Sequence, residues 1–121
     1  MDDKKKCLLA RRRDDTVLPA HWEIPGGKVE KIETAKQAIV RELHEELGIN
    51  VTSEPEFLQN IYHDHILLAV FYIHAYTNVP FGKEGQHVEW LEQREIMDGR
   101  LLTPLTRKYF AYCVDKGAPK A

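Results

Sequence analysis

A chain of 121 residues can bury one core and make one domain, but it is too short for two. With 43% hydrophobic and 30% charged residues, a formal net charge of -2 and an isoelectric point near 6.3, it carries no overall basic field that would draw in long nucleic acid. Cys7 and Cys113 lie far apart and outside any zinc-ligand spacing, and no apolar run reaches the roughly 18 residues of a membrane span or forms a signal-peptide core. These features predict a reducing, cytoplasmic setting with no membrane contact.

In chain order, residues 2–6 are a charged run that reads as a solvated turn. Residues 7–10 form a short apolar strand that opens into Arg11, Arg12 and Arg13. Residues 22–24 alternate apolar and polar before Pro25, Gly26 and Gly27 break the strand. The clearest helix is predicted over 34–47, with Gly48 at the left-handed position past its end. Two strands follow at 57–62 and 66–76. The apolar density of the second argues against an edge exposed on both faces. A loop at 78–85 leads to a strand over 87–91. The last helix has Thr103 as N-cap and Pro104 in its first turn. Leu105, Tyr109, Tyr112 and Cys113 line one side, and Gly117 ends it. Strands and helices in this order predict an α/β protein with a mixed sheet and helices on its faces, one domain over residues 1–121.

The first helix carries the chemistry. Its 3.6-residue period places Ile39, Leu43 and Leu47 on the core-facing stripe. Glu42 and Glu46 border that stripe, and Glu45 lies further round on the same side. A glutamate-rich helix usually presents a solvated face. Here the like-charge pair Glu42 and Glu46 is mutually unfavourable, and all three anions sit toward the helix C-terminus, where the macrodipole disfavours them. A hard divalent cation, Mg²⁺ or Mn²⁺, relieves both penalties. His63 and His65 have strand-like spacing but no third nitrogen or sulfur ligand nearby in sequence, so they read as loop-edge or substrate-side histidines. His44 falls on the exposed side.

Gly27, Glu33, Arg41, Glu42, Leu43, Glu45, Glu46, Gly48 and Ile49 match the pattern G-x5-E-x7-R-E-U-x-E-E-x-G-U, nine fixed positions over 23 residues. On these residues the chain resembles the Nudix hydrolases. The segment 22–30, Arg11 and Arg12, and the stretch 82–86 with Glu89 and Trp90 are similar to the MutT-type branch. The resemblance implies an α/β/α sandwich and a Mg²⁺ site (Mn²⁺ possible) formed by Glu42, Glu45, Glu46, Glu84 and the carbonyl of Gly26. It implies Glu84 or Glu45 as general base with Glu46 in the catalytic set. Arg12 and Lys28 would face the substrate phosphates, and Gly27, Glu33 and Arg41 would brace the loop and helix. The implied reaction takes a nucleoside triphosphate to monophosphate and pyrophosphate in a monomer or homodimer. The first-choice substrate is 8-oxo-dGTP. Another nucleoside triphosphate or a nucleoside-diphosphate-linked compound are alternatives, and a nucleotide-sensing module without catalysis ranks below them.

The chain departs from that pattern in three places. Similar proteins have a strand upstream of the turn before residue 7, so either the start is truncated or misassigned, or the sheet lacks its first strand. Asp64 and the stretch 102–105 stand where the branch reads the oxidised base with an arginine and an asparagine. The segment between the motif and Glu84 is a few residues shorter.

Overall fold

The computed structural model describes residues 6–13, 18–97 and 101–116. The elements run β1 (Lys6–Arg11), β2 (Trp22–Glu23), α1 (Ala35–Leu47), β3 (Asn50–Val51), β4 (Glu56–His63), β5 (Ile66–Tyr72), β6 (Tyr76–Thr77), β7 (His87–Glu92), α2 (Gln93–Met97) and α3 (Pro104–Lys116). β1 lies between β2 and β7 and is antiparallel to both. β4 and β5 form a hairpin, and β3 pairs with β6. Among the described residues the parallel element is a single bridge between Trp22 and Leu102.

Alternation along β1 builds the layers. Leu8 packs with Val88 against a cluster centred on Leu43, Leu47 and Ile49, on the α1 side. Leu9 points the opposite way, is fully buried, and joins Leu91, Ile61, Val70 and the α3 residues Tyr109 and Phe110. Adjacent residues of one strand thus serve opposite cores, which makes the fold an α/β/α sandwich.

Local chemistry sets both ends of α1. Thr34 is extended, and its hydroxyl accepts the Gln37 N–H at 3.1 Å while the Gln37 side chain accepts the Thr34 N–H at 2.8 Å. At the other end Gly48 has φ 71, and its N–H donates to the His44 carbonyl at 3.0 Å.

Some expectations change. The strand predicted over 66–76 stops at Tyr72 because Tyr72 is paired with Glu56, the first residue of β4, and no more of that partner remains. The chain then crosses to β3, where Tyr76 and Thr77 find Val51 and Asn50. At the turn end of the hairpin, Ile66 and Leu67 are more than half exposed. α2 was not foreseen, since five residues are too few to show a helical period. Lys6, read as part of a turn, belongs to β1. Residues 2–5, Gly117 and the side chains of Tyr112 and Cys113 lie outside what is described. The place of the expected first strand, before Lys6, lies outside what is described, and among the described residues no helix is long and apolar enough to cross a membrane.

Candidate active site

Three segments meet at the C-terminal half of α1: the turn after β2, the loop before α1 and the loop before β7. The Gly26 N–H donates to the Glu46 carboxylate at 2.9 Å, which fastens the first of these to the helix. At Gly27 an added Cβ would lie 2.2 Å from the Glu42 carboxyl carbon. Only glycine lets that carboxylate rest against the loop backbone.

Arg41 organises the second segment. Its guanidinium donates to both Glu33 oxygens, at 2.7 and 3.1 Å, to Glu42 at 2.7 Å, to Glu45 at 3.1 Å and to the Lys28 carbonyl at 2.9 Å. A rigid fork with five N–H groups can serve all of these at once, which a lysine cannot. The Arg41 hydrogen bond, then the Glu30 N–H, lowers the Glu33 carboxyl below its usual range. The bonds to Glu33 and Glu42 raise the Arg41 guanidinium in turn. Glu33 and Arg41 are therefore paired, and Arg41 reaches two of the motif glutamates as well. The Lys28 side chain sits on the exposed part of this loop.

Among the described residues Glu46 has no cation of its own. Burial, followed by the charges of Glu42, Glu23 and Glu84, pushes its carboxyl up to about 8, against the lowering effect of the Gly26 N–H. Four carboxylates thus share one electrostatic neighbourhood. Arg12 stands beside it, with Nη1 at 3.1 and 3.3 Å from the two oxygens of Glu23.

Glu84 comes from the third segment. Its N–H donates to the Gln86 side chain at 3.0 Å, and its carbonyl accepts from Arg13 at 3.0 Å. His63 and His65 lie away from this cluster at the β4–β5 turn, where Asp64 and His65 have φ of 46 and 64 and His63 lies 3.3 Å from Asp64. His44 is exposed, as expected.

Among the described residues no three carboxylate, imidazole or thiolate groups converge as a ready-made metal ligand set. The reason is visible in the contacts: Glu42 and Glu45 are turned to Arg41, and Glu46 to Gly26. The donors are nonetheless all carboxylate oxygens, and the anion crowding at Glu46 is what a hard divalent cation would relieve. The residues fit such an ion.

The NUDIX domain matches residues 1–112. The chain belongs to the Nudix family. It is 39% identical over 93 residues to an 8-oxo-dGTP diphosphatase of Escherichia coli (strain K12), covering 74% of this chain and 72% of that one. A second 8-oxo-dGTP diphosphatase, from Haemophilus influenzae, is 41% identical over 98 residues, covering 78% and 72%. Among solved structures, MutT from the study of Aliivibrio salmonicida and Vibrio cholerae superposes with a TM-score of 0.75 at 33% identity, covering 91% of this chain and 89% of that one. As a Nudix hydrolase the protein cleaves phosphoric anhydride bonds in small nucleotide substrates, and enzymes of this family generally need divalent cations.

Residues that the motif did not mark are Glu23, Arg13 and Gln86. Glu23 was legible in principle. Trp22 is buried on one face, so strand alternation turns Glu23 to the other. Arg13 and Gln86 act on Glu84 through its backbone, and no local pattern signals that.

Proposed function

We propose that this protein is a Mg²⁺-dependent pyrophosphohydrolase of nucleoside triphosphates, with 8-oxo-dGTP as its substrate. The observation that carries the proposal is that the glutamates of the motif helix close on one loop, Glu46 through the Gly26 N–H, Glu42 against Gly27, and Glu42 and Glu45 through Arg41. Glu42, Glu45, Glu46 and Glu84, with the carbonyl of Gly26, are the ligands we assign. Bound there, the cation would neutralise non-bridging phosphate oxygens and make an attacking water more acidic. Water forms a new bond to phosphorus, the anhydride between the α- and β-phosphoryl groups breaks, and nucleoside monophosphate and pyrophosphate leave. The water proton passes to Glu84 or Glu45. Arg12 and Lys28 bring positive charge to the phosphates, and Glu33, Arg41 and Gly27 hold the loop on which Lys28 sits.

A second substrate reading has its own support. Leu102 is 4% exposed and apolar, and the Thr103 hydroxyl, also buried, donates to Thr106 at 2.9 Å. This stretch offers a base no asparagine-like amide. A pocket that loses a polar contact to the base loses much of its discrimination. The chain is also 53% identical over 47 residues to a CTP pyrophosphohydrolase of Escherichia coli. A panel of oxidised and ordinary purine and pyrimidine triphosphates, with products identified, separates the two readings. A preference for 8-oxo-dGTP over dGTP of at least about a hundredfold in kcat/KM supports the first. Equal rates across bases reject it, and release of orthophosphate alone rejects the reaction itself. Glu46→Gln is expected to abolish turnover.

A further inference from the structure

We propose that Gln86, assisted by Arg13, is a positioning residue that sets Glu84 against the glutamate face of α1. The inference rests on the metal-dependent hydrolysis proposed above and names what holds its outlying carboxylate in place. The Gln86 amide makes two bonds in opposite senses. Its oxygen accepts the Glu84 N–H at 3.0 Å, and its nitrogen donates to the Glu46 backbone carbonyl at 3.1 Å. One side chain therefore joins the backbone of Glu84 to that of Glu46.

The Glu46 carbonyl lies in the last turn of α1, where helical carbonyls have no partner within the helix. The loop before β7 supplies the partners. The Lys83 N–H also donates to the Glu46 carbonyl, at 2.9 Å, the Phe81 N–H donates to Leu47 at 3.1 Å, and the Asn78 amide donates to Gly48 at 3.2 Å. The loop that carries Glu84 is thus the C-terminal cap of the helix that carries Glu46. From the other side, Arg13, two residues past the end of β1, donates to the Glu84 carbonyl at 3.0 Å. Gly82 makes this closure possible, since a Cβ there would meet the Gln86 carbonyl oxygen at 1.6 Å. Both peptide groups of Glu84 are held, so the backbone that carries its carboxylate is fixed relative to that of Glu46.

The test is kinetic and metal-binding analysis of Gln86→Ala, Arg13→Ala and Arg13→Lys, each alone and the first also combined with Glu84→Gln. Misplacing a reacting group by a fraction of an ångström costs roughly ten- to thirtyfold in rate. Gln86→Ala should lower kcat by that factor with KM unchanged within about twofold, and weaken Mn²⁺ binding followed by electron paramagnetic resonance several-fold. Arg13→Ala should lose about threefold, and Arg13→Lys should recover most of it. In the Glu84→Gln background Gln86→Ala should add nearly nothing, because both changes act through one carboxylate. A full additional loss in the double variant overturns the proposal, as does a Gln86→Ala enzyme with wild-type kcat. Absence of Mn²⁺ binding and turnover in the wild-type protein would reject the metal-dependent hydrolysis itself, before any variant is compared.

Discussion

Replacing Glu46 by glutamine should make the metal-free protein more stable at neutral pH while destroying its activity. Folding raises the Glu46 carboxyl from an ordinary value of 4.5 to about 8, chiefly through burial. The folded chain therefore binds a proton here that the unfolded chain has already lost over the window between those values. Below pH 4.5 both states are protonated and the group costs nothing. As pH rises toward 8, stability falls. At about pH 7.5, the difference in proton affinity corresponds to an upper bound of ~4 kcal/mol. Remaining solvent contact and relaxation of Glu42, Glu23 and Glu84 reduce this to ~2 kcal/mol. Glutamine keeps the acceptor for the Gly26 N–H and carries no charge, so the variant escapes the penalty.

The assay is thermal unfolding in EDTA from pH 5 to 9 for both proteins. For a domain of this size ~2 kcal/mol is a Tm difference of roughly 6–10 °C, with the variant higher at pH 8 and the two curves meeting near pH 5. Mg²⁺ should raise the wild-type Tm at pH 8 and leave the variant unchanged. Parallel pH curves, or a less stable variant at pH 8, would refute the reasoning.

Other changes separate the frame from the chemistry. Gly27→Ala drives a Cβ to 2.2 Å from the Glu42 carboxyl and should cost roughly a hundredfold in kcat with the far-ultraviolet circular dichroism spectrum unaltered. Thr34→Ala removes half of a capping box well away from the carboxylates. It should lower stability by ~1 kcal/mol in urea titration and change kcat less than about twofold. Arg41→Lys keeps the charge and loses the fork that joins Glu33, Glu42, Glu45 and the Lys28 carbonyl. Steady-state kinetics should show a loss of roughly tenfold or more in kcat/KM, with no gain from added Mg²⁺.

The sequence made α1 legible because periodicity, cap and stop all agree there, and its glutamates follow once the core stripe is placed. Their surroundings were less legible. Gln86 bonds a residue 40 positions away and Arg13 one 71 away, and both bonds end on backbone atoms that no residue pattern identifies. The length of β5 was misjudged for a related reason. Apolar content says that a segment is interior, but a strand ends where its partner ends, and that partner is Glu56. Glu23 lies between these cases, visible by alternation yet meaningful only once Glu46 is known to stand near it.

The carboxylates of the motif are neutralised in different ways, and the difference bears on how the enzyme loads its cation. Arg41 serves Glu42 and Glu45 as an internal positive charge, whereas Glu46 relies on one N–H and, near neutrality, on a proton. A divalent ion entering the cluster would compete with Arg41 for the first two and with a proton for the third. Affinity for it should therefore climb with pH below about 8, with close to one proton released per ion bound. Arg41 is itself fixed by Glu33 and the Lys28 carbonyl, so it need not move when the carboxylates turn. The Arg41 part of the frame is then independent of whether the cation is present, whereas the Gly26 N–H bond to Glu46 is a loop contact that gives way. Only the side chains of Glu42, Glu45 and Glu46 have to change partners.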